Sequence, residues 1–205
     1  MEQIISQDFF LSEATVVAKN LLGKILVRTI KGQKIKARIV ETEAYMGGFD
    51  RASHSYGFKK TPKTLPLYQE GGRIYIYLIY GMYYCFNIVV NTKDNPQAVL
   101  IRAVEIIEGH EVAINYLAGN NHKKRSHHWT NGPGKLALAL NLDQSLNNLH
   151  LLSNDCLTLV SDDFFVGPDE IVAAKRVNID YAQEDKEHFW RFYLKNNLFV
   201  SKVIK

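Results

Sequence analysis

Two carboxylates two residues apart, Glu41 and Glu43, are followed at the same spacing by a phenol, Tyr45. Gly47-Gly48 then breaks the run, and the chain returns with an imidazole, His54. A carboxylate, a phenol and an imidazole could therefore meet in one pocket, which makes this stretch a candidate site. In an extended strand, residues two apart project to one side, with Cα atoms about 6.5 Å apart. Sugar hydrolases hold paired carboxylates about 5–9.5 Å apart, but on opposite sides of the bond they cleave. One of this pair could therefore be a base for water. The other would be a structural acid paired with Arg38, Arg73 or Arg102. The residues alone do not choose between them. The plain alternative is a salt-bridged strand end followed by an ordinary loop.

Tyr75, Tyr77, Tyr80, Tyr83 and Tyr84 crowd into one short stretch. Each buried phenol needs a hydrogen-bond partner, so a core strand would normally use Val, Ile or Phe here. Aromatic rings beside a basic surface suit base stacking, and one at a hairpin tip could wedge into a duplex. The competing reading is strand propensity, since tyrosine is a good strand former. It has least force at Tyr80, which sits at the turn. His122, His127 and His128 match no zinc spacing, and no phosphate loop is present. Lys135, after Gly132-Pro133-Gly134, could clamp a phosphate or serve as a Schiff-base nucleophile.

The elements that must position these groups follow from periodicity and breaks. Ser12 caps a helix that ends at Gly23. Residues 24–30 and 34–45 form a hairpin around Lys31-Gly32-Gln33. On its second strand, Ile35, Ala37 and Ile39 set an apolar face, and an unbroken register puts Glu41, Glu43 and Tyr45 on that face. Residues 47–72 are a long irregular segment, a length usually kept for function. A hairpin with Tyr80-Gly81 near its tip follows, then a strand over 97–104 carrying Arg102. Helices are expected over 108–118 and 135–141. Further strands are expected over 156–160, 172–177, 189–194 and 198–203, the last two joined by a turn at Asn196-Asn197. The pattern predicts a single α+β domain over residues 1–205. It would have a curved, mostly antiparallel sheet, a protruding hairpin and several short helices.

The 205 residues suffice for one full core, and 46% hydrophobic with 22% charged residues is ordinary for a globular chain. No apolar run is long enough to span a bilayer. The start, Met-Glu-Gln-Ile-Ile, has no basic region or cleavage site, so a cytoplasmic location is expected. Cys85 and Cys156 sit among apolar residues and are expected to be buried thiols. The net charge is +4, but its distribution says more. Acids are absent from 52–68 and from 113–141, and the latter stretch holds Lys123, Lys124, Arg125 and Lys135. Together these suggest one positive face and a polyanionic partner such as nucleic acid.

Taken together, the motifs resemble a known family. Arg38 to Tyr45, with Asp50, Ala52, His54-Ser55 and Thr61-Pro62, is similar to the signature of the alkyladenine (3-methyladenine) DNA glycosylases. So are Tyr77 to Tyr83 with Cys85 and Asn87, Leu100 to Ala103, Asn131 to Leu136, and Arg191-Phe192-Tyr193. The resemblance runs over essentially the whole chain. It implies a monofunctional enzyme of base excision repair that flips damaged purines from double-stranded DNA. A glutamate-activated water would hydrolyse the glycosidic bond with no cofactor and no metal, leaving an abasic site.

By the same resemblance Glu43 is the base, helped by Arg102. Tyr45, His54 and Tyr77 stack around the flipped base, Asn87 is on the pocket floor, and Tyr80 fills the gap in the duplex. Lys123, Lys124, Arg125 and Lys135 would touch the DNA backbone. The expected protein is a monomer with no membrane contact, at the nucleoid if bacterial and in the nucleus if eukaryotic. A damage-binding protein without catalysis, using the same aromatic pocket, is the alternative.

Overall fold

The longest strand, β3 (Gln33–Tyr45), is the axis of the molecule. A computed structural model describes residues 2–117 and 125–203. Before β3 come β1 (Gln3–Ile4) and β2 (Ile25–Ile30). After it come β4 (Ile74–Ile79), β5 (Tyr83–Val90), β6 (Gln97–Glu108), β7 (Leu157–Ser161), β8 (Ile171–Ala174) and β9 (Arg191–Leu194). Every pairing among the described strands is antiparallel, in the order β1-β7-β2-β3-β6-β5-β4. β6 runs along one edge of β3. The other edge is shared, with β2 on the first half and β9, itself paired to β8, on the second. Among the described residues three short helices, α1 (Ala14–Leu21), α2 (His110–Ile114) and α3 (Pro133–Ala139), complete an α+β fold.

Two of the register shifts in the β3–β6 ladder place the site. Ile39 pairs with Val104 and Glu41 with Ala103, so one residue of β3 is extra. Thr42 then pairs with Ile101, so Arg102 is the extra residue on β6. A bulge reverses which side the following residues face. Ile35, Ala37, Ile39, Val40 and Ala44 all join the main core, and Thr42 Oγ1 donates to the Ala18 carbonyl on α1 at 2.9 Å. Glu41, Glu43 and Tyr45 therefore lie on the face opposite Ile35, Ala37 and Ile39. The unbroken register expected from alternation is wrong. The acids never belonged to the core face, and the bulge lets β3 be buried on both sides.

Other departures have local causes. α1 starts at Ala14 without Ser12 as its cap; its first amide donates instead to Gln97 Oε1 from β6 at 2.8 Å. β6 continues to Glu108, which shortens the expected 108–118 helix to α2. Gly109, at φ +81°, makes the turn, where a Cβ would lie 2.3 Å from the Lys34 carbonyl oxygen. Residues 198–203 form no strand, because their polar groups go elsewhere: the Ser201 amide donates to Glu41 at 2.6 Å. Cys85 is buried as expected, but Cys156 is exposed. No helix among the described residues is long and apolar enough to cross a membrane.

Candidate active site

β3 delivers Glu43, fully buried, and Tyr45 two residues on. The Tyr45 hydroxyl donates to Glu43 Oε2 at 3.0 Å, and the Val177 amide donates to Oε1 at 2.7 Å. Arg102 Nη1 lies 3.3 Å from the same Oε1. Burial pushes the Tyr45 hydroxyl well above its ordinary value, and the neighbouring Glu43 charge adds to the effect, so the phenol stays protonated and donates. Burial also works against the Arg102 charge, but Glu43 and Glu41 outweigh it and hold the guanidinium above the usual arginine value. Glu41 is equally buried and fully engaged. It accepts from Arg102 Nε at 3.0 Å, Arg191 Nη1 at 2.9 Å, and both the amide and hydroxyl of Ser201. Of its three expected partners only Arg102 is correct. Arg38 pairs with Asp162, and Arg73 donates to the Asn148 carbonyl.

Beyond Tyr45 lies a pocket walled by His54, Tyr75 and Tyr77, with Asn87 and Ala98 among its other lining residues. His54 and Tyr77 meet edge to face at 4.4 Å between ring centroids. The His54 Nδ1 and the Tyr75 hydroxyl share a hydrogen bond of 2.8 Å. Burial lowers His54 to about 4, with Lys63 contributing, so the imidazole is neutral near pH 7. Tyr75 and Tyr77 are both pushed up, chiefly by burial. Asn87 spends its amide hydrogens on the Tyr75 and Cys85 carbonyls at 3.1 and 3.3 Å. A cleft opens outward from this pocket and shares Tyr45, Tyr77 and Tyr181 with it. Tyr45, Arg102 and Val177 line the cleft, so Glu43 lies directly behind its wall.

The β4–β5 hairpin supplies the rim. Tyr80 and Gly81 both take positive φ, +54° and +66°, as a tight hairpin turn requires. Tyr80 is 75% exposed and Met82 66%, beside the cleft that Tyr80 also lines. On the opposite flank, Asp50 and Arg176 form a fully buried bidentate ion pair at 2.5 and 2.9 Å. The Arg176 guanidinium lies 4.9 Å from the ring centroids of both Tyr45 and Trp190. It thus ties the loop after β3 to the segment that carries Val177.

Of the sequence-predicted residues, Glu43, Arg102, Tyr45, His54, Tyr77, Asn87 and Tyr80 are gathered around this pocket and cleft. Arg125 is exposed, and Lys135 is exposed with its Nζ 2.8 Å from Asn131 Oδ1. Lys123 and Lys124 lie outside the described residues. Sequence reasoning missed Val177, whose contribution is a backbone amide and leaves no mark in residue type. It also missed Tyr181, 67% exposed, which lies in none of the motifs that the sequence singled out. Among the described residues, no group of three or more His, Cys, Asp or Glu side chains could hold a metal ion.

A buried carboxylate behind an aromatic slot, with a guanidinium on one oxygen and a phenol on the other, equips a hydrolase for an aromatic leaving group. Comparison with known proteins makes the class specific. Residues 8–198 match the model of the methylpurine-DNA glycosylase family, and the chain belongs to that family. Relatives called "Putative 3-methyladenine DNA glycosylase" align over nearly their whole length. The one from Borrelia garinii subsp. bavariensis is 50% identical, covering 95% of this chain and 97% of its own. That from Desulfitobacterium hafniense is 46% identical over 96% and 98%, and that from Clostridium perfringens strain 13 is 44% identical over 97% and 98%.

Proposed function

We propose that the protein is a monofunctional DNA glycosylase that excises alkylated or deaminated purines, 3-methyladenine among them, from duplex DNA. The observation that carries this is Glu43, held by Arg102, Tyr45 and Val177 at the wall of an aromatic pocket. A carboxylate can accept about four hydrogen bonds. Glu43 accepts two hydrogen bonds, from the Tyr45 hydroxyl and the Val177 amide, beside the Arg102 charge, which leaves capacity for a water on the cleft side. That water attacks the sugar carbon as the C1′–N bond breaks. Glu43 takes its proton and offsets the positive charge developing on the sugar.

Ring alkylation makes a purine cationic and a good leaving group. Tyr45 and Tyr77 offer π faces to such a base, worth about 0.5–2 kcal/mol per contact. His54, being neutral, does not repel it. Extrusion costs a few kcal/mol, least for a damaged or mispaired base. Tyr80 offsets that cost by filling the gap in the stack. Arg125 and Lys135, with Lys123 and Lys124, hold the phosphates. The whole chain works as one domain, as a monomer, in the cytoplasm at the nucleoid.

The test is release of free base from duplexes that each carry one defined lesion. Glu43→Gln should slow release about 10²–10⁴-fold while duplex binding persists. Equal rates for variant and wild type would remove Glu43 from the chemistry. Tight binding with no release by the wild type would instead favour a damage-binding protein.

A further inference from the structure

Glu41 is a puzzle for a site that needs only one base. It is fully buried, four residues removed from the pocket rings, and accepts four hydrogen bonds. Three of them fall on Oε1, from Arg102 Nε, Arg191 Nη1 and the Ser201 hydroxyl. The fourth, from the Ser201 amide, falls on Oε2. The Ser201 hydroxyl also lies 3.3 Å from Arg102 Nη2. The Arg102 guanidinium is therefore met on three edges: Nε by Glu41, Nη2 by Ser201 and Nη1 by Glu43. A guanidinium is a rigid plane, so two anchored edges fix where the third points. The second anchor comes from the far C-terminal segment, which Arg191 secures by donating to the Lys202 carbonyl at 2.7 Å.

We propose that Glu41 is a positioning residue for hydrolysis: with Ser201 it locks the Arg102 plane, so that Nη1 meets Glu43 in a fixed place and with a fixed share of charge. This rests on Glu43 being the base. Two arginines and two glutamates balance in this cluster. Without the Glu41 charge, the cluster holds two guanidinium charges against the one carboxylate charge of Glu43, which Arg102 meets directly. Their excess positive charge makes Glu43 a weaker base and opposes the cationic transition state. Charges about 6.5 Å apart in a protein interior alter one another's titration by about one to two pH units. The other titratable groups around Glu43 are Tyr45 on β3, Cys85 on β5, and Arg176 with Tyr181 after β8. None of these is bonded to Glu41, so a change there reaches Glu43 through Arg102, which meets both carboxylates.

The experiment is single-turnover base release against pH, on a duplex with one 7-methylguanine. Its leaving base is already cationic, so the acid limb reports the water-activating base. Glu41→Gln should lower the plateau rate about tenfold or more and move the acid limb down by about one pH unit, with the duplex Kd within about twofold. Glu41→Asp, which keeps the charge, should return the limb to its wild-type position. If Glu41→Gln does not fold, Ser201→Ala serves. It removes only a hydroxyl, and should slow release about threefold without moving the limb. A wild-type rate in Glu41→Gln, an unmoved limb, Asp behaving as Gln, or Ser201→Ala at the wild-type rate would each overturn the proposal. A wild type that releases no base would sink the glycosylase reading itself, an outcome visible before any variant is made.

Discussion

Replacing Asp50 by Asn tests how the pocket is held open. Asp50 and Arg176 have no solvent-exposed side-chain surface, and two hydrogen bonds join them. Asp50 also accepts from the amides of Met46 and Ala52, at 3.0 and 2.9 Å. Asn nearly preserves the shape but leaves the Arg176 charge buried and unmatched. Breaking one side of a buried pair costs about 3–5 kcal/mol. Total stabilities are about 5–15 kcal/mol, so this is a large fraction. For a chain of this length each kcal/mol moves Tm by about 2–4 °C, which gives a fall of about 6–20 °C. Arg176 lies over Tyr45, so base release should also drop at temperatures where the variant is still folded. Thermal and urea unfolding, with excision measured at about 15 °C below the variant's Tm, give both readings. Adding Arg176→Met to Asp50→Asn removes the unmatched charge and should recover part of the loss. A cost under about 1 kcal/mol for Asp50→Asn would refute the reasoning, since no buried charge could then have been orphaned.

Tyr80 is exposed and held at φ +54°, a conformation that costs a non-glycine residue about 1–2 kcal/mol. Tyr80→Gly should therefore hold or raise Tm while slowing excision from intact duplex; slower excision with a lowered Tm would make Tyr80 structural. For His54, burial sets a folded value of about 4 against about 6.5 in the unfolded chain. The unfolded chain takes the proton first as pH falls, so stability is lost from about pH 6.5 downward until pH 4. Between pH 7 and 5, wild type should lose about 2 kcal/mol more than His54→Gln in urea titrations, and parallel losses would show His54 to be solvated.

Much of the fold was legible because its signals are local. Strand periodicity located β2 to β6, and Gly81 beside a run of aromatics located the hairpin tip. What failed was whatever depended on partners distant in sequence. The amide of Ala14 finds Gln97, so Ser12 is not needed as a cap. The last residues looked like a strand because Leu198, Phe199, Val200 and Val203 favour one. Their amides are drawn to Glu41 and to a turn on Asn197, with the Phe199 amide 2.8 Å from Asn197 Oδ1. The bulge at Val40 was hidden because Ile39 and Val40 are both apolar, and alternation continues on either side of an inserted residue.

That hidden bulge also explains why residue type alone could not separate Glu41 from Glu43. Both follow the same parity, both are completely buried, and both touch Arg102. What distinguishes them is what each faces across the second half of β3. Glu41 meets a closed set of donors: two guanidinium edges and both polar groups of Ser201. Its acceptor capacity is used, and its partners belong to the protein interior. Glu43 meets groups that themselves line the cleft, so its oxygens lie a single layer from it. A carboxylate that must exchange a proton with solvent or substrate needs that spare capacity. One that must aim a guanidinium needs none. The proposed division of labour is therefore set by β9, the Val177 segment and the C-terminal residues, which lie at least 130 positions away in sequence.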